Sequence, residues 1–280
     1  MRGSVRSARN AVGIRGASGC PEAPYAVRLR ESDRHGTVRG GNMAKQIAVW
    51  GTPDSGKSVL ATKLALELTE MGKRVAVVYT DDRAPVLPML FPGTRAAREY
   101  SVGAVLERVL MTPDDVLRQA NLCRHHRELA LFGYAAGENR QSYPAVLSEK
   151  ATELYGILNR LADVLIVDCS AALYDSPLSD VAVRTADRTL YLLTPEPKAL
   201  QYRLSQMPLY PKVAVQNVLV SVYGDVRAAE RETVQACVGV LANVPYSQAI
   251  RQQSADGTLL SPIRDRGFQR AVRKLAEWVL

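Results

Sequence analysis

The stretch that decides the fold is Gly51-Thr52-Pro53-Asp54-Ser55-Gly56-Lys57-Ser58, which matches the pattern G-x-x-x-x-G-K-[ST] at every required position. A short apolar run at residues 46–50 precedes it, and residues 59–70 carry leucines at helical spacing. The order strand, glycine-rich loop, helix lets backbone amides and the positive end of a helix converge on one anion. We therefore expect all eight residues to contact a nucleoside triphosphate, which we take to be ATP with Mg²⁺.

The side chains of this loop have separate tasks. Gly51 and Gly56 let the backbone wrap closely around phosphate oxygens. Lys57 brings a mobile positive charge to the β- and γ-phosphates, and Ser58 offers a hydroxyl to Mg²⁺. Asp54 would repel phosphate if it pointed inward, so we expect its side chain to face solvent or a partner.

Two acids that follow apolar runs are candidates for metal binding and for orienting water. Asp168 ends the run VLIVD and is expected to bind Mg²⁺, directly or through a water molecule. Asp81 follows the run RVAVVYT and is a candidate for orienting the attacking water, because ligands of doubly wound sheets bind at the carboxyl ends of strands. For Asp81 and its neighbour Asp82, a solvated loop acid is the alternative interpretation.

Short apolar runs alternate with amphipathic stretches along the rest of the chain. Strands are predicted at residues 74–80, 128–134, 164–167, 189–193, 217–223 and 239–243. Helices are predicted at residues 59–70, 102–109, 112–125, 145–161, 178–185, 198–206, 226–236 and 268–280, and the prolines of residues 83–100 predict a loop. This alternation predicts an α/β fold with a doubly wound, mainly parallel sheet that carries helices on both faces, as in P-loop NTPases.

The formal charge of +8 is concentrated at the start of the chain. Residues 1–42 contain eight arginines against three acids, a net charge of +5, so the rest of the chain carries only +3. Residues 1–42 show no periodicity and predict a disordered basic tail, while residues 43–280 predict one ATPase domain. The tail is either an arm for nucleic acid or anionic lipid, or an upstream mis-start before Met43. DNA is not an expected partner of the folded body.

The cysteine pattern and the hydropathy pattern indicate where in the cell the protein is found. The four cysteines are scattered without metal-binding spacing, and no apolar run reaches 18 residues. We therefore expect a cytoplasmic protein without a transmembrane segment.

Together, these motifs resemble the MinD/ParA-type P-loop ATPases, and most closely the pilus-assembly and conjugation-linked members of the TadZ/CpaE kind. The resemblance covers residues 45–280. It is carried by the loop, Asp81, VLIVDCSAAL at 164–173, TPEP at 194–197 and VPYSQAIRQQSADGTLL at 244–260.

The resemblance implies a weak, Mg²⁺-dependent ATPase that binds ATP and ADP, forms a homodimer around ATP and acts as a slow switch. Such a protein positions a membrane-associated pilus or secretion machine, or serves conjugation, at the membrane or cell pole. Lys57 and Asp81 match the catalytic groups and Ser58 and Asp168 the metal-binding groups of the family. Pro245-Tyr246 matches the segment that lies against adenine.

The chain also departs from the family pattern. Thr52 stands where relatives carry a second lysine that reaches the partner's nucleotide. Tyr79 replaces the first acid of the usual D-x-D, and residues 221–223 stand where an asparagine often recognises adenine. Some relatives bind membranes through a terminal amphipathic helix, whereas here we expect residues 268–280 to pack on the sheet.

Two other functions fit the same loop. A metabolic ATP-dependent phosphotransferase or ligase would need cations that grip a second substrate, and Arg83, Arg95 and Arg98 lie in a suitable loop. A DNA-segregation ATPase would need basic surface on the folded body.

Overall fold

The computed structural model describes residues 43–93, 100–123, 125–224 and 228–280. The predicted tail at 1–42, together with Arg95 and Arg98, lies outside these ranges. The strands are β1 (Lys45–Gly51), β2 (Val75–Tyr79), β3 (Asn121–Cys123), β4 (His126–Phe132), β5 (Val164–Asp168), β6 (Arg188–Leu193), β7 (Val215–Val220) and β8 (Val240–Val244). They form one sheet in the order β3-β4-β2-β5-β1-β6-β7-β8.

All neighbouring strands of this sheet pair in parallel, except that β3 is antiparallel to β4. The predicted doubly wound, mainly parallel sheet is therefore confirmed. The loop at Gly51–Ser58 leaves β1 between β5 and β6, so strand ends flank it on both sides.

Helices cover both faces of the sheet. They are α1 (Lys57–Glu70), α2 (Leu87–Leu90), α3 (Val102–Leu106), α4 (Pro113–Arg118), α5 (Ser148–Leu161), α6 (Pro177–Thr185), α7 (Pro197–Gln206), α8 (Ala228–Cys237), α9 (Gln248–Ala255) and α10 (Arg266–Val279). Along β1, Ile47 and Val49 enter the core that α1 and α10 cover, whereas Ala48 and Trp50 enter the core beneath α5 and α6. This alternation puts apolar side chains on both faces of a central strand, as a buried parallel sheet requires.

The predicted helix at 112–125 is wrong in its second half. Its start is as expected, because Thr112 and Asp115 form a capping box and Pro113 follows the cap. The helix ends at Arg118, and the chain then forms β3, which makes an antiparallel hairpin with β4. Pairing with the sheet edge supplies hydrogen bonds that outweigh the helix preference of this short segment.

The terminal helix packs inside the fold, as expected. Asp265 caps α10 by accepting hydrogen bonds from the amides of Gly267 and Phe268. The apolar stripe of α10 is buried against α1 and β8, and it consists of Phe268, Val272, Leu275, Ala276 and Val279. None of the helices in the described ranges is long and apolar enough to cross a lipid bilayer.

Candidate functional site

The glycine-rich loop has a backbone that only certain residues can adopt. Gly51 has φ +152°, and a Cβ there would lie 2.1 Å from the carbonyl oxygen of Leu192 on β6. Gly56, the N-cap of α1, has φ +77°. Asp54 has φ +55° and is exposed, which agrees with the expectation that its carboxylate faces away from the loop. The loop therefore lies tightly against β6 and leads directly into the N-terminus of α1.

Two side chains of the loop converge on one backbone carbonyl. The Lys57 ammonium and the Ser55 hydroxyl each donate to the Thr52 carbonyl oxygen at 2.8 Å. Burial lowers the pKa of Lys57, while the nearby carboxylates of Asp168 and Asp81 act in the opposite direction. The loop thus holds a largely buried cation between its own backbone and two acids.

Asp168 is a buried carboxylate at the end of a central strand. It ends β5, in register with Val49 of β1 and Tyr79 of β2, and only 3% of its surface is exposed. The Ser58 hydroxyl lies close enough to this carboxylate to lower its pKa, and Oδ1 has no hydrogen-bond partner among the described residues. Burial raises the pKa of Asp168 to about 7, and Ser58 and Lys57 only partly offset this effect.

A pair of oxygen donors of this kind fits a hard divalent cation. Mg²⁺ prefers carboxylate and hydroxyl oxygens and fills its remaining positions with phosphate oxygens and water. The unpartnered Oδ1 of Asp168 beside the Ser58 hydroxyl is the observation that meets this test. The sequence predicted both residues.

A hydroxyl network fixes the backbone around Asp168, and the sequence analysis missed it. The Thr80 hydroxyl donates to the Asp168 carbonyl oxygen at 2.8 Å and lies 2.7 Å from the Ser179 hydroxyl. The amide of Ser170 donates to both of these hydroxyl oxygens. The sequence could not indicate this network, because Thr80 and Ser179 are 99 positions apart in the chain.

Asp81 lies close enough to Lys57 and Asp168 to affect the pKa of both. Its Oδ1 accepts hydrogen bonds from the amides of Arg83 and Ala84, so one carboxylate oxygen holds the turn after β2. The structure therefore brings Asp81 to the predicted crevice and gives it a structural contact as well.

Ion pairs and hydrogen bonds connect the loops that follow β2, β4 and β5 above the crevice. Arg140 pairs with Asp82 at 3.3 Å and donates to the Asp175 carbonyl oxygen at 2.7 Å. Arg83 forms an ion pair with the Asp175 carboxylate. Arg83, a candidate for binding a second substrate, thus already pairs with a carboxylate. The sequence analysis did not identify Arg140 as a residue of this crevice.

The predicted nucleoside segment, Pro245-Tyr246, lies on the other side of the loop. A Cβ at Gly56 would be 3.8 Å from the Val222 side chain, and a Cβ at Gly224 would be 3.5 Å from the Tyr246 ring. Val222, Gly224 and Tyr246 therefore form a wall that runs from the phosphate loop to the end of β8. We call these three residues the nucleoside-side wall.

The comparisons with known proteins agree with this geometry. A family model described as methylmalonyl Co-A mutase-associated GTPase MeaB matches residues 34–88, a minor part of the chain that contains the loop. An uncharacterized ATP-binding protein of Methanocaldococcus jannaschii is 24% identical over 228 residues, which is 78% of this chain and 80% of that protein.

Two solved structures illustrate the likeness in fold. The septum site-determining protein MinD complexed with Mg-ADP from Pyrococcus horikoshii OT3 has a TM-score of 0.66 at 19% identity, over 85% of this chain and 96% of its own. A ParA family ATPase from Chlorobium tepidum TLS has a TM-score of 0.66 at 16% identity, over 84% and 98%. The chain therefore has the fold of the MinD/ParA P-loop ATPases.

Proposed function

We propose that this protein binds ATP with Mg²⁺ and hydrolyses it slowly, as a regulatory ATPase that positions another assembly. The observation that carries the proposal is the buried Asp168 carboxylate, whose free oxygen lies beside Ser58 at the end of the phosphate loop. A buried carboxylate is costly unless a cation compensates it, so its place next to a phosphate-binding loop points to a metal–nucleotide site.

The residues of the chain have separate roles in this proposal. The amides of Gly51 to Ser58 and the N-terminus of α1 bind the phosphates, and Lys57 neutralises the terminal phosphate charge. Ser58 and Asp168 hold Mg²⁺, which when bound neutralises charge on the phosphate oxygens. Asp81 orients the attacking water, and Pro245 and Tyr246 lie against the base.

The fold and the resemblance support the biological role that we propose. The structural likeness to MinD and ParA ATPases supports a positioning or partition ATPase. Within that class we propose a pilus, secretion-machine or conjugation role, carried out in the cytoplasm or at the membrane periphery by a nucleotide-dependent homodimer. The motif around residues 244–260 supports this finer assignment.

Calorimetric titration with Mg-ATP tests the central claim. The unaltered chain should bind ATP, and Lys57→Ala should weaken binding at least about a hundredfold, because the loop loses its buried cation. Lys212→Ala, which removes an exposed lysine, is the matched control and should bind normally. Tight ATP binding by Lys57→Ala would contradict the proposal. Titration with Mg-GTP tests the base preference, since the match to a GTPase family model covers the same loop.

The second candidate function is that of a phosphotransferase or ligase. The position of Arg83 favours this function, because Arg83 lies at the mouth of the crevice and 57% of its side chain is exposed. Phosphate release with ATP alone, compared with release in the presence of small carboxylate and nucleoside acceptors, separates the two functions. Stoichiometric phosphorylation of an acceptor would contradict the regulatory proposal and support a phosphotransferase. Gel-shift assays at two salt concentrations test the DNA-segregation alternative.

A further inference from the structure

A fully buried lysine lies on α1 behind the phosphate loop. Lys63 has no exposed surface, and its ammonium donates to three oxygens, which belong to the Gln253 side chain at 2.6 Å, the Leu259 carbonyl at 2.6 Å and the Ser261 carbonyl at 2.7 Å. An ammonium has three N–H donors, so the three acceptors match its full capacity. Burying such a charge costs free energy, and the three hydrogen bonds offset part of that cost. A buried lysine at this position of the helix therefore suggests a specific role.

The three acceptors belong to one segment of the chain. Gln253 lies on α9, and Leu259 and Ser261 lie on the turn that follows. The Gln253 amide also donates to the Pro262 carbonyl oxygen at 3.0 Å, which holds the helix and the turn together. Lys63 therefore attaches α9 and residues 259–261 to the helix that begins at the phosphate loop.

The attached segment also carries part of the nucleoside-side wall. Ser247 caps α9 and directly follows Pro245-Tyr246 in the chain. On the next turn, the Arg251 guanidinium lies over the Tyr223 ring at 5.9 Å from its centroid. Movement of α9 relative to α1 would thus shift Tyr246 relative to the loop that holds the phosphates.

We propose that Lys63 is a positioning residue for the nucleoside half of the site, which fixes α9 and residues 259–261 to α1 so that phosphate loop and nucleoside-side wall keep one spacing. This inference rests on the proposed ATP site and assigns a role to a residue that does not touch the nucleotide. Without Lys63, α9 is ordered in only a fraction of the molecules before the nucleoside binds. The apparent affinity for ATP is then reduced in proportion to that fraction.

The test compares two ligands that share phosphates but differ in the nucleoside. Affinities for Mg-ATP and for inorganic tripolyphosphate with Mg²⁺ are measured for the unaltered chain, Lys63→Met and Gln253→Ala. Lys63→Met keeps an unbranched side chain that is one atom shorter and removes all three donors. Gln252→Ala is the matched control, because Gln252 is exposed on the same helix and its side-chain amide donates to Asp256, one helical turn further on.

We expect Lys63→Met to weaken ATP binding on the order of tenfold and tripolyphosphate binding less than about twofold, the size expected when hydrogen bonds to a charged group are lost. Gln253→Ala should change both affinities in the same pattern by a smaller factor, and Gln252→Ala should change neither. Hydrogen exchange in the nucleotide-free protein should quicken at residues 248–261 in the first two variants only.

Several outcomes would overturn the inference. Equal losses for ATP and tripolyphosphate would show general damage to the fold, and unchanged ATP affinity in both Lys63→Met and Gln253→Ala would remove the positioning role. If Lys63→Met does not fold, Gln253→Ala and Gln252→Ala carry the comparison. Failure of the unaltered chain to bind ATP would contradict the proposed function itself, whereas normal binding with unaffected variants would contradict this inference alone.

Discussion

Asp168 shows how a single residue can be placed against its own solvation preference. A carboxyl group exposed to water ionises near pH 4, but burial at the end of β5 raises the pKa of Asp168 to about 7. The nearby Ser58 hydroxyl and the charge of Lys57 lower this pKa, but they do not cancel the effect of burial. The fold thus maintains a costly acid where a cation could bind.

Replacing Asp168 by Asn should remove the contribution of magnesium to nucleotide binding. The amide keeps the shape of the side chain but loses the negative charge that attracts Mg²⁺. In the unaltered chain we expect ATP to bind about ten- to a hundredfold more tightly with Mg²⁺ than with EDTA, which is about 1.4–2.7 kcal/mol. This gain should vanish in Asp168→Asn. Titration calorimetry with Mg²⁺ and with EDTA measures the gain. Asp180→Asn, on a surface ion pair with Arg184, should keep it, and a preserved gain in Asp168→Asn would exclude this residue as a ligand.

Sequence could predict the residues whose chemistry is local, and it failed for those defined by distant contacts. The glycines, Lys57 and Ser58 follow from spacing, and Asp168 follows from its place at the end of an apolar run. Lys63 gave no such indication, because a lysine at i with Glu67 at i+4 on a helix is ordinarily a solvated ion pair. Residues 259–261 cover this face of α1, and they are almost 200 positions away along the chain.

At the scale of elements, the junction of β1 with the phosphate loop depends on one glycine. Gly51→Ala should destabilise the protein by more than about 3 kcal/mol, because the new Cβ would overlap the Leu192 backbone of β6. Gly72→Ala, after α1, is the matched control: its φ is +79° but nothing lies within 4 Å, so we expect a cost of about 1 kcal/mol from backbone conformation alone. Urea unfolding measures both, and equal costs would mean that β6 yields to the extra atom.

The terminal helix is expected to act as core and not as a detachable anchor. Leu275→Ala should lower the free energy of unfolding by about 2–4 kcal/mol, because Leu275 is fully buried against α1. Leu280→Ala, at a side chain that is 42% exposed, should change it by less than about 0.5 kcal/mol. Denaturant midpoints check both variants. If Leu275→Ala left stability unchanged but abolished binding to anionic vesicles, the membrane interpretation of this helix would replace the packing one.

Elements with strong periodicity were predicted well, and short edge elements were not. The predicted helices at 59–70 and 145–161 correspond to α1 and α5. The apolar stripe of α5 matches the face it buries, whereas α1 is buried at every residue from Leu60 to Leu68. The predicted strand at 128–134 corresponds to β4, but β3 and its hairpin with β4 were missed, since β3 has only three residues and gains its stability from pairing with a neighbour. The predicted loop at 83–100 likewise contains the single turn of α2, which its prolines concealed.

The position of the site belongs to the whole molecule. Parallel strands end at one edge of the sheet, so β1, β2 and β5 deliver the phosphate loop, Asp81 and Asp168 to the same crevice. The alternation of strands and helices predicted this convergence without any knowledge of strand order. The sequence did not reveal how far the last third of the chain wraps back over α1, which is what joins the nucleoside-side wall to the phosphate loop.

A nucleotide-dependent homodimer is the state in which such a site would act as a switch. Asp81→Ala should slow hydrolysis and keep ATP in the site, so Mg-ATP should raise the mass of this variant about twofold, whereas ADP should not. In the proposed homodimer, Thr52 stands where the resemblance implies a lysine that reaches the partner's nucleotide, so each protomer would lack that charged contact and the mass should depend on protein concentration. Light scattering after size exclusion measures the mass, with Lys57→Ala as the variant that should remain monomeric in ATP. A constant monomer mass in Asp81→Ala saturated with ATP would contradict the proposed homodimer.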